Sequence, residues 1–487
     1  MELIFPAPAT CNSIDGDASD FKEDKMMKKS KKSIPGYLFG MALAALISIS
    51  MPESGKSQEP GAPSSTRWPA SAAVGGSTAS PAEEKEAGTA IPPTPQSNTQ
   101  SSTIKRFDRN GPTRESWMTV GLGAKYIRAV LGGFEQGAKF SFGVQLTSAD
   151  ALKFVELRAT AFVSTLLYRR FEAEAYFPRV FGENTHADIW FDYLRRPEDN
   201  FFGIGPRIPN TSQTNFDLEQ RSYNGSLYHD FNEQLQVGGY LSVSNSATYK
   251  GQEDDDIPIN LLFSGDRDTV PPAQWVPGLL TTAKILSYGG FAQYDLRNDS
   301  EGLTKGAYFY TRVGSSKGLK NKTAFSDYGW LTAELEARGY IPLGGAKTSL
   351  ALRGYATLKD PRGGSQIPFY ELPFLGGQLY GRGFKSFRFR GNNMLLASAE
   401  LRQTVRAQSE ERGLDVFGFG DAGQVWGDNR SQTDPAILVN QDFDSSNWRA
   451  SIGGGLQYRF SKNFAARIEL GHSHERNLIY FSFTRGF

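Results

Sequence analysis

From Trp117 to its end the chain repeats one pattern. Segments of roughly ten to fifteen residues alternate apolar and polar side chains, and clusters of Gly, Asn, Asp and Pro separate them. Tyr168, Arg170, Glu172, Glu174 and Tyr176 interleave with Leu167, Arg169, Phe171, Ala173, Ala175 and Phe177. Glu334, Glu336 and Arg338 interleave with Leu331, Ala333, Leu335, Ala337, Gly339 and Ile341. Near the end, Ile479, Phe481, Phe483, Arg485 and Phe487 share one face, and Leu478, Tyr480, Ser482, Thr484 and Gly486 the other. A period of two belongs to strands, whose successive side chains point to opposite faces. Charge recurring on one face, with aliphatic residues on the other, fits a barrel with a wet lumen and a lipid-facing wall.

Sixteen segments can be drawn: 117–128, 137–147, 153–163, 166–177, 185–195, 215–230, 233–246, 281–297, 303–316, 325–341, 347–359, 392–405, 413–427, 447–460, 464–473 and 477–487. Connection lengths test the count. In bacterial outer-membrane barrels the periplasmic turns are short and the extracellular loops long. With this numbering the long connections 196–214, 247–280, 360–391 and 428–446 all follow odd segments, and the turns after even segments are short. The expectation is an all-β, 16-stranded antiparallel transmembrane barrel over residues 115–487.

Composition agrees. Aromatics make up 13%, glycines number 52, and net charge is +1. Mean hydropathy is −0.42, too polar for a bundle of membrane helices but compatible with strands that wet every second residue. Near-neutral charge gives no footprint for nucleic acid. The single cysteine, Cys11, excludes a disulfide framework and a cysteine-based metal site.

Ahead of the barrel lie two further parts. Residues 1–50 comprise an N-terminal extension and a secretory signal: the basic run Lys28–Lys32 precedes the mostly apolar Ile34–Ser50, with Met26 or Met27 the better start. Residues 51–114 are rich in Ser, Pro, Gly, Ala and Glu, and they read as a disordered linker with too little apolar surface to offset ordering.

The stretch Leu372–Val405, LPFLGGQLYGRGFKSFRFRGNNMLLASAELRQTV, runs a glycine- and arginine-rich loop into an alternating strand. Downstream, Gly418–Trp426 reads GFGDAGQVW, and the chain ends on Phe487. Over roughly residues 117–487 this arrangement resembles the BamA/TamA superfamily of outer-membrane barrels, the bacterial surface antigen family. The resemblance implies that the sixth extracellular loop folds into the barrel. Its tip would be Arg382, Gly383 and Phe384, and Glu400 and Asp421 would be the acidic wall partners of Arg382. Such partners make physical sense, since a partly desolvated guanidinium needs a carboxylate and its planar fork suits one. Resemblance also implies that Phe481, Phe483 and Phe487 form a C-terminal signal read by the barrel assembly machinery during insertion. BamA and TamA carry folded periplasmic POTRA modules where this chain has its low-complexity segment, a departure from the family.

Other candidates are weaker. His472 and His474 alternate on one strand but lack a third metal ligand. His229 and Asp230 are adjacent on a strand and so cannot form a dyad with each other. Asp254–Asp256 reads as a solvated acidic run. Recognised catalytic and nucleotide-binding motifs are missing, so the expectation is a non-enzyme with no cofactor. The function implied is an accessory factor in outer-membrane protein or lipid biogenesis. Its partners would be outer-membrane lipids, the barrel assembly machinery during its own insertion, and a periplasmic protein that supplies the missing capture modules. The alternative is a passive pore or structural and adhesion barrel without insertase activity.

Overall fold

The computed structural model describes residues 117–120, 127–135 and 139–483, apart from 149–153, 166, 252–256, 267–269, 271–273, 301–302, 320–327, 345–346, 410–411, 428–441 and 462–463. The signal and linker segments, Asp254–Asp256 and Phe487 lie outside the described residues.

Sixteen long strands form one antiparallel sheet wound into a barrel. They are β1 (Ile127–Glu135), β2 (Lys139–Thr147), β3 (Glu156–Ser164), β4 (Arg169–Phe177), β5 (Thr185–Phe201), β6 (Thr214–Asp230), β7 (Leu235–Lys250) and β8 (Thr282–Asp295). The second half comprises β9 (Leu303–Gly318), β10 (Gly329–Pro342), β11 (Thr348–Pro361), β12 (Asn393–Ala407), β13 (Gly413–Trp426), β14 (Arg449–Ser461), β15 (Phe464–Ser473) and β16 (Asn477–Ser482). Each strand pairs with its sequence neighbours, and Phe134 of β1 lies opposite Phe481 of β16, bringing the first and last strands together.

The expected placement of the first strand needs correction. Residues 117–128 do not supply it; Ile127–Glu135 does. Trp117–Val120 instead lies antiparallel on β1, with Trp117 opposite Gly132 and Val120 opposite Ala129. Both runs are rich in small and apolar residues and neither alternates cleanly, so local pattern does not separate them.

Burial is inverted relative to a soluble protein. On β12, Glu400 is 0% and Arg402 9% exposed, whereas Leu401 between them is 50% exposed. Ile468 and Leu470 of β15 are likewise exposed beside buried Arg467 and Glu469. Such a wall is stable only if hydrocarbon covers the outward aliphatic rows. No helix among the described residues is long and apolar enough to cross a membrane.

Strands β5 and β6 each run 17 residues, beyond the roughly 9–11 that a bilayer requires. Their extra length carries an apolar cluster formed with the fourth and sixth extracellular loops. Phe201 and Phe216 meet Phe369 edge-to-face at 5.0 and 4.8 Å, and Ile259, Val276, Leu279 and Trp330 complete the packing. This cluster anchors the base of the sixth loop.

Candidate functional site

The sixth loop, between β11 and β12, turns back into the lumen through a short ladder in which Phe374 and Leu375 face Arg390 and Phe389. It carries its own apolar underside. Leu375, Tyr380, Phe384 and Phe389 are buried against Tyr355, Met394, Leu396 and Val425 of the wall. At the tip Gly381 and Gly383 have φ of +123° and +94°, conformations that strain a residue bearing a Cβ. Space is tight as well: a Cβ on Gly383 would lie 3.0 Å from the His472 carbonyl carbon, and one on Gly471 of β15 would lie 2.7 Å from the Gly383 nitrogen, too close without a shift.

That close approach delivers Arg382 to a charged cluster. Its Nε and Nη2 donate to the two oxygens of Asp421 at 2.9 and 2.7 Å, and its backbone N–H donates to the same carboxylate at 3.0 Å. Nη1 donates to Glu400 at 2.9 Å and to Glu469 at 3.0 Å. Glu400 also accepts from Arg402 at 2.6 Å and from Arg467 at 2.5 Å, and Arg467 donates to Glu469 at 2.7 Å. Three guanidiniums thus interleave with three carboxylates, and Arg382 and Arg467 lie 3.5 and 3.7 Å from the ring centres of Phe419 and Phe417. Delocalised charge over an aromatic face is favourable where water is scarce.

Arg382, Glu400 and Asp421 therefore sit together. Sequence reasoning missed Glu469 and Arg467 of β15. The signal available was the alternating Arg-x-Glu itself, which puts both side chains on the lumen face without naming the partner they reach.

The loop also holds the last strand from inside. The Tyr480 hydroxyl accepts from the Gly383 N–H at 3.0 Å and donates to the Phe384 carbonyl at 3.2 Å. Ser473 Oγ donates to the Gly383 carbonyl at 2.7 Å. Gln378 donates to Glu469 at 2.6 Å and to Ser482 Oγ at 2.9 Å. Phe384 is buried beneath the loop, with its ring 5.7 Å from that of His474.

The remaining candidates divide. Phe481 and Phe483 meet edge-to-face at 4.9 Å, both half-buried. His472 Nδ1 is 2.6 Å from Asn477 Oδ1. His229 lies 2.9 Å from Thr185 Oγ1, while Asp230 lies 3.0 Å from His186 Nε2, so the two neighbours do serve different partners.

A lipid-facing barrel with its sixth loop bound to the inner wall defines a class of outer-membrane protein. The chain belongs to the Omp85 superfamily, whose domain model matches residues 155–471. Among solved structures it is similar to BamA from Haemophilus ducreyi lacking POTRA domains 1–3, at 16% identity and a TM-score of 0.53, covering 76% of this chain and 75% of that one. It also matches CdiB from Escherichia coli at 12% identity and a TM-score of 0.48, covering 75% of this chain and 64% of that one.

Proposed function

We propose that this chain is an accessory factor in outer-membrane protein or lipid biogenesis that works by yielding at the seam between β1 and β16. One observation supports the reading: among the described residues, β16 is paired more extensively on its β15 side than on its β1 side. Toward β15 the strand pairs continuously from His472–Asn477 to Arg467–Ser482. Toward β1, the described register is the single pair Phe134–Phe481. The sixth loop binds β16 from within, through Tyr480 and Ser482, so loop and seam are mechanically linked. In this reading Arg382, Gly383 and Phe384, held by Glu400 and Asp421, form a latch. Phe481, Phe483 and Phe487 serve the chain's own insertion by the assembly machinery. Periplasmic capture modules come from a partner, and no catalysis is involved.

The seam reading is tested with Phe134→Cys and Phe481→Cys in one chain, against Leu470→Cys and Ile479→Cys, which span β15 and β16 at a paired position. In cells lacking the chain, the oxidised seam pair should fail to restore the outer-membrane barrier and should recover with reductant. The control pair should restore it in either state. Steady conductance in planar bilayers, indifferent to the seam disulfide, would instead establish a passive pore.

A further inference from the structure

Above the docked loop, at the extracellular mouth, lies a pocket of about 650 Å³ that the seam reading does not use. It collects Arg207 from the third extracellular loop, Arg388 from the sixth, Arg449 at the head of β14, and His474 and Glu475 from the β15–β16 turn. Four separate stretches of chain thus converge three guanidiniums on one cavity.

The carboxylates nearby do not use up the donors. Glu475 accepts from Arg388 Nε at 2.9 Å and from Nη2 at 2.7 Å, and the same Nη2 donates to the Ile208 carbonyl at 2.7 Å. Arg388 is 2% exposed, yet its Nη1 has no acceptor among the described residues. Arg449 donates from Nη2 to the Pro206 carbonyl at 2.7 Å, and its buried Nε also lacks an acceptor among the described residues. Arg207 donates to Asn447 Oδ1 at 2.9 Å and to Ser446 Oγ, which in turn donates to Asp444 at 2.5 Å. Among the described residues that line the pocket, one carboxylate, Glu475, therefore faces three guanidiniums and a histidine, and Asp444 lies behind Ser446. Arg388 and Arg449 also approach the same Phe389 ring, at 4.4 and 5.2 Å. Two cations at one ring repel unless an anion lies between them, and buried donors without acceptors cost free energy.

We propose that this pocket binds an oxyanion of phosphate type from the extracellular side. Guanidinium forks match phosphate oxygens bidentately, and a phosphate would supply both the missing acceptors and the missing negative charge. The group could be carried by free phosphate or by the head of a phosphorylated outer-leaflet glycolipid, whose chemistry at the pocket is the same. This site is independent of any opening at the seam.

The test titrates inorganic phosphate into the full chain in detergent by calorimetry, with the same protein in phosphatidylethanolamine nanodiscs containing either lipid A or dephosphorylated lipid A. Arg207→Gln and Arg449→Gln remove donors that do not hold Glu475. Each should weaken binding about tenfold, or ~1.4 kcal/mol. Glu475→Gln, which removes a competing acceptor, should strengthen it. Heat-modifiable migration on gels verifies that every variant is folded. Saturable binding of free phosphate identifies a soluble ligand, and binding confined to phosphorylated lipid A identifies a lipid headgroup. Absence of binding in both arms, or binding that the arginine variants leave unchanged, overturns the proposal.

Discussion

Arg382 is the residue on which the internal packing of the barrel converges. It meets carboxylates from three strands, Glu400 of β12, Asp421 of β13 and Glu469 of β15. Removing one member of a buried ion network leaves its partners uncompensated, at about 3–5 kcal/mol where water is excluded. Arg382→Ala should therefore lower stability far more than a typical loop substitution does. Glu400→Gln removes a carboxylate shared by Arg402, Arg467 and Arg382, although Arg467 keeps Glu469 and Arg382 keeps Asp421 and Glu469. The two changes share a partner, so their combined effect on the unfolding midpoint should fall short of the sum. Strict additivity in a double-mutant cycle would mean that Arg382 and Glu400 do not support one another. Sequence made part of this cluster legible. Period-two alternation sends Glu400 and Asp421 inward, and the family resemblance pairs them with Arg382. Glu469 escaped because alternation specifies a face and not a height: nothing local says which lumen-facing glutamate stands level with the loop tip.

At the scale of elements, the outer edge of β1 has two claimants. The register that sets Phe134 opposite Phe481 would, continued down the antiparallel ladder, set Phe483 opposite Gly132. Trp117 already occupies that position, and Phe483 lies in a bend beyond the end of β16. The N-terminal strand and the continuation of β16 therefore compete for one row of backbone donors and acceptors. Deleting residues 117–120 should free the row. A Gly132→Cys and Phe483→Cys pair should then oxidise more completely than it does in the full chain, measured as the disulfide fraction on non-reducing gels. Equal yields would mean that the arm does not guard the edge. Trp117–Val120 lies within the segment read as the first strand, but the separate strand Ile127–Glu135 was not legible in sequence, although the strand count was. Moving the first strand from 117–128 to 127–135 preserves the odd–even order of every later loop. Loop parity therefore constrains the number of strands while remaining blind to which residues form the first.

The whole molecule is organised inside out, and this determines where it can exist. Its charged cluster, its loop and the apolar underside of that loop fill the lumen, leaving the outer face to Leu241, Leu401, Ile452, Leu456, Ile468 and Ile479, each at least half exposed. In water those rows would form an apolar patch far larger than a soluble monomer carries. In a bilayer they replace lipid contacts at no hydrophobic cost, while closure of the sheet leaves few backbone groups unpaired in hydrocarbon. The protein should fractionate with the outer membrane and resist extraction by salt or carbonate. In detergent sulfate without heating it should migrate as a compact species, shifting to the unfolded position on boiling. Arg382→Ala should bring that shift to a lower temperature, because the lumen network ties strands β12, β13, β15 and β16 to a single loop. Recovery of the native chain in the soluble periplasm would contradict the fold at its foundation, since its aliphatic rows would then have nothing to cover them.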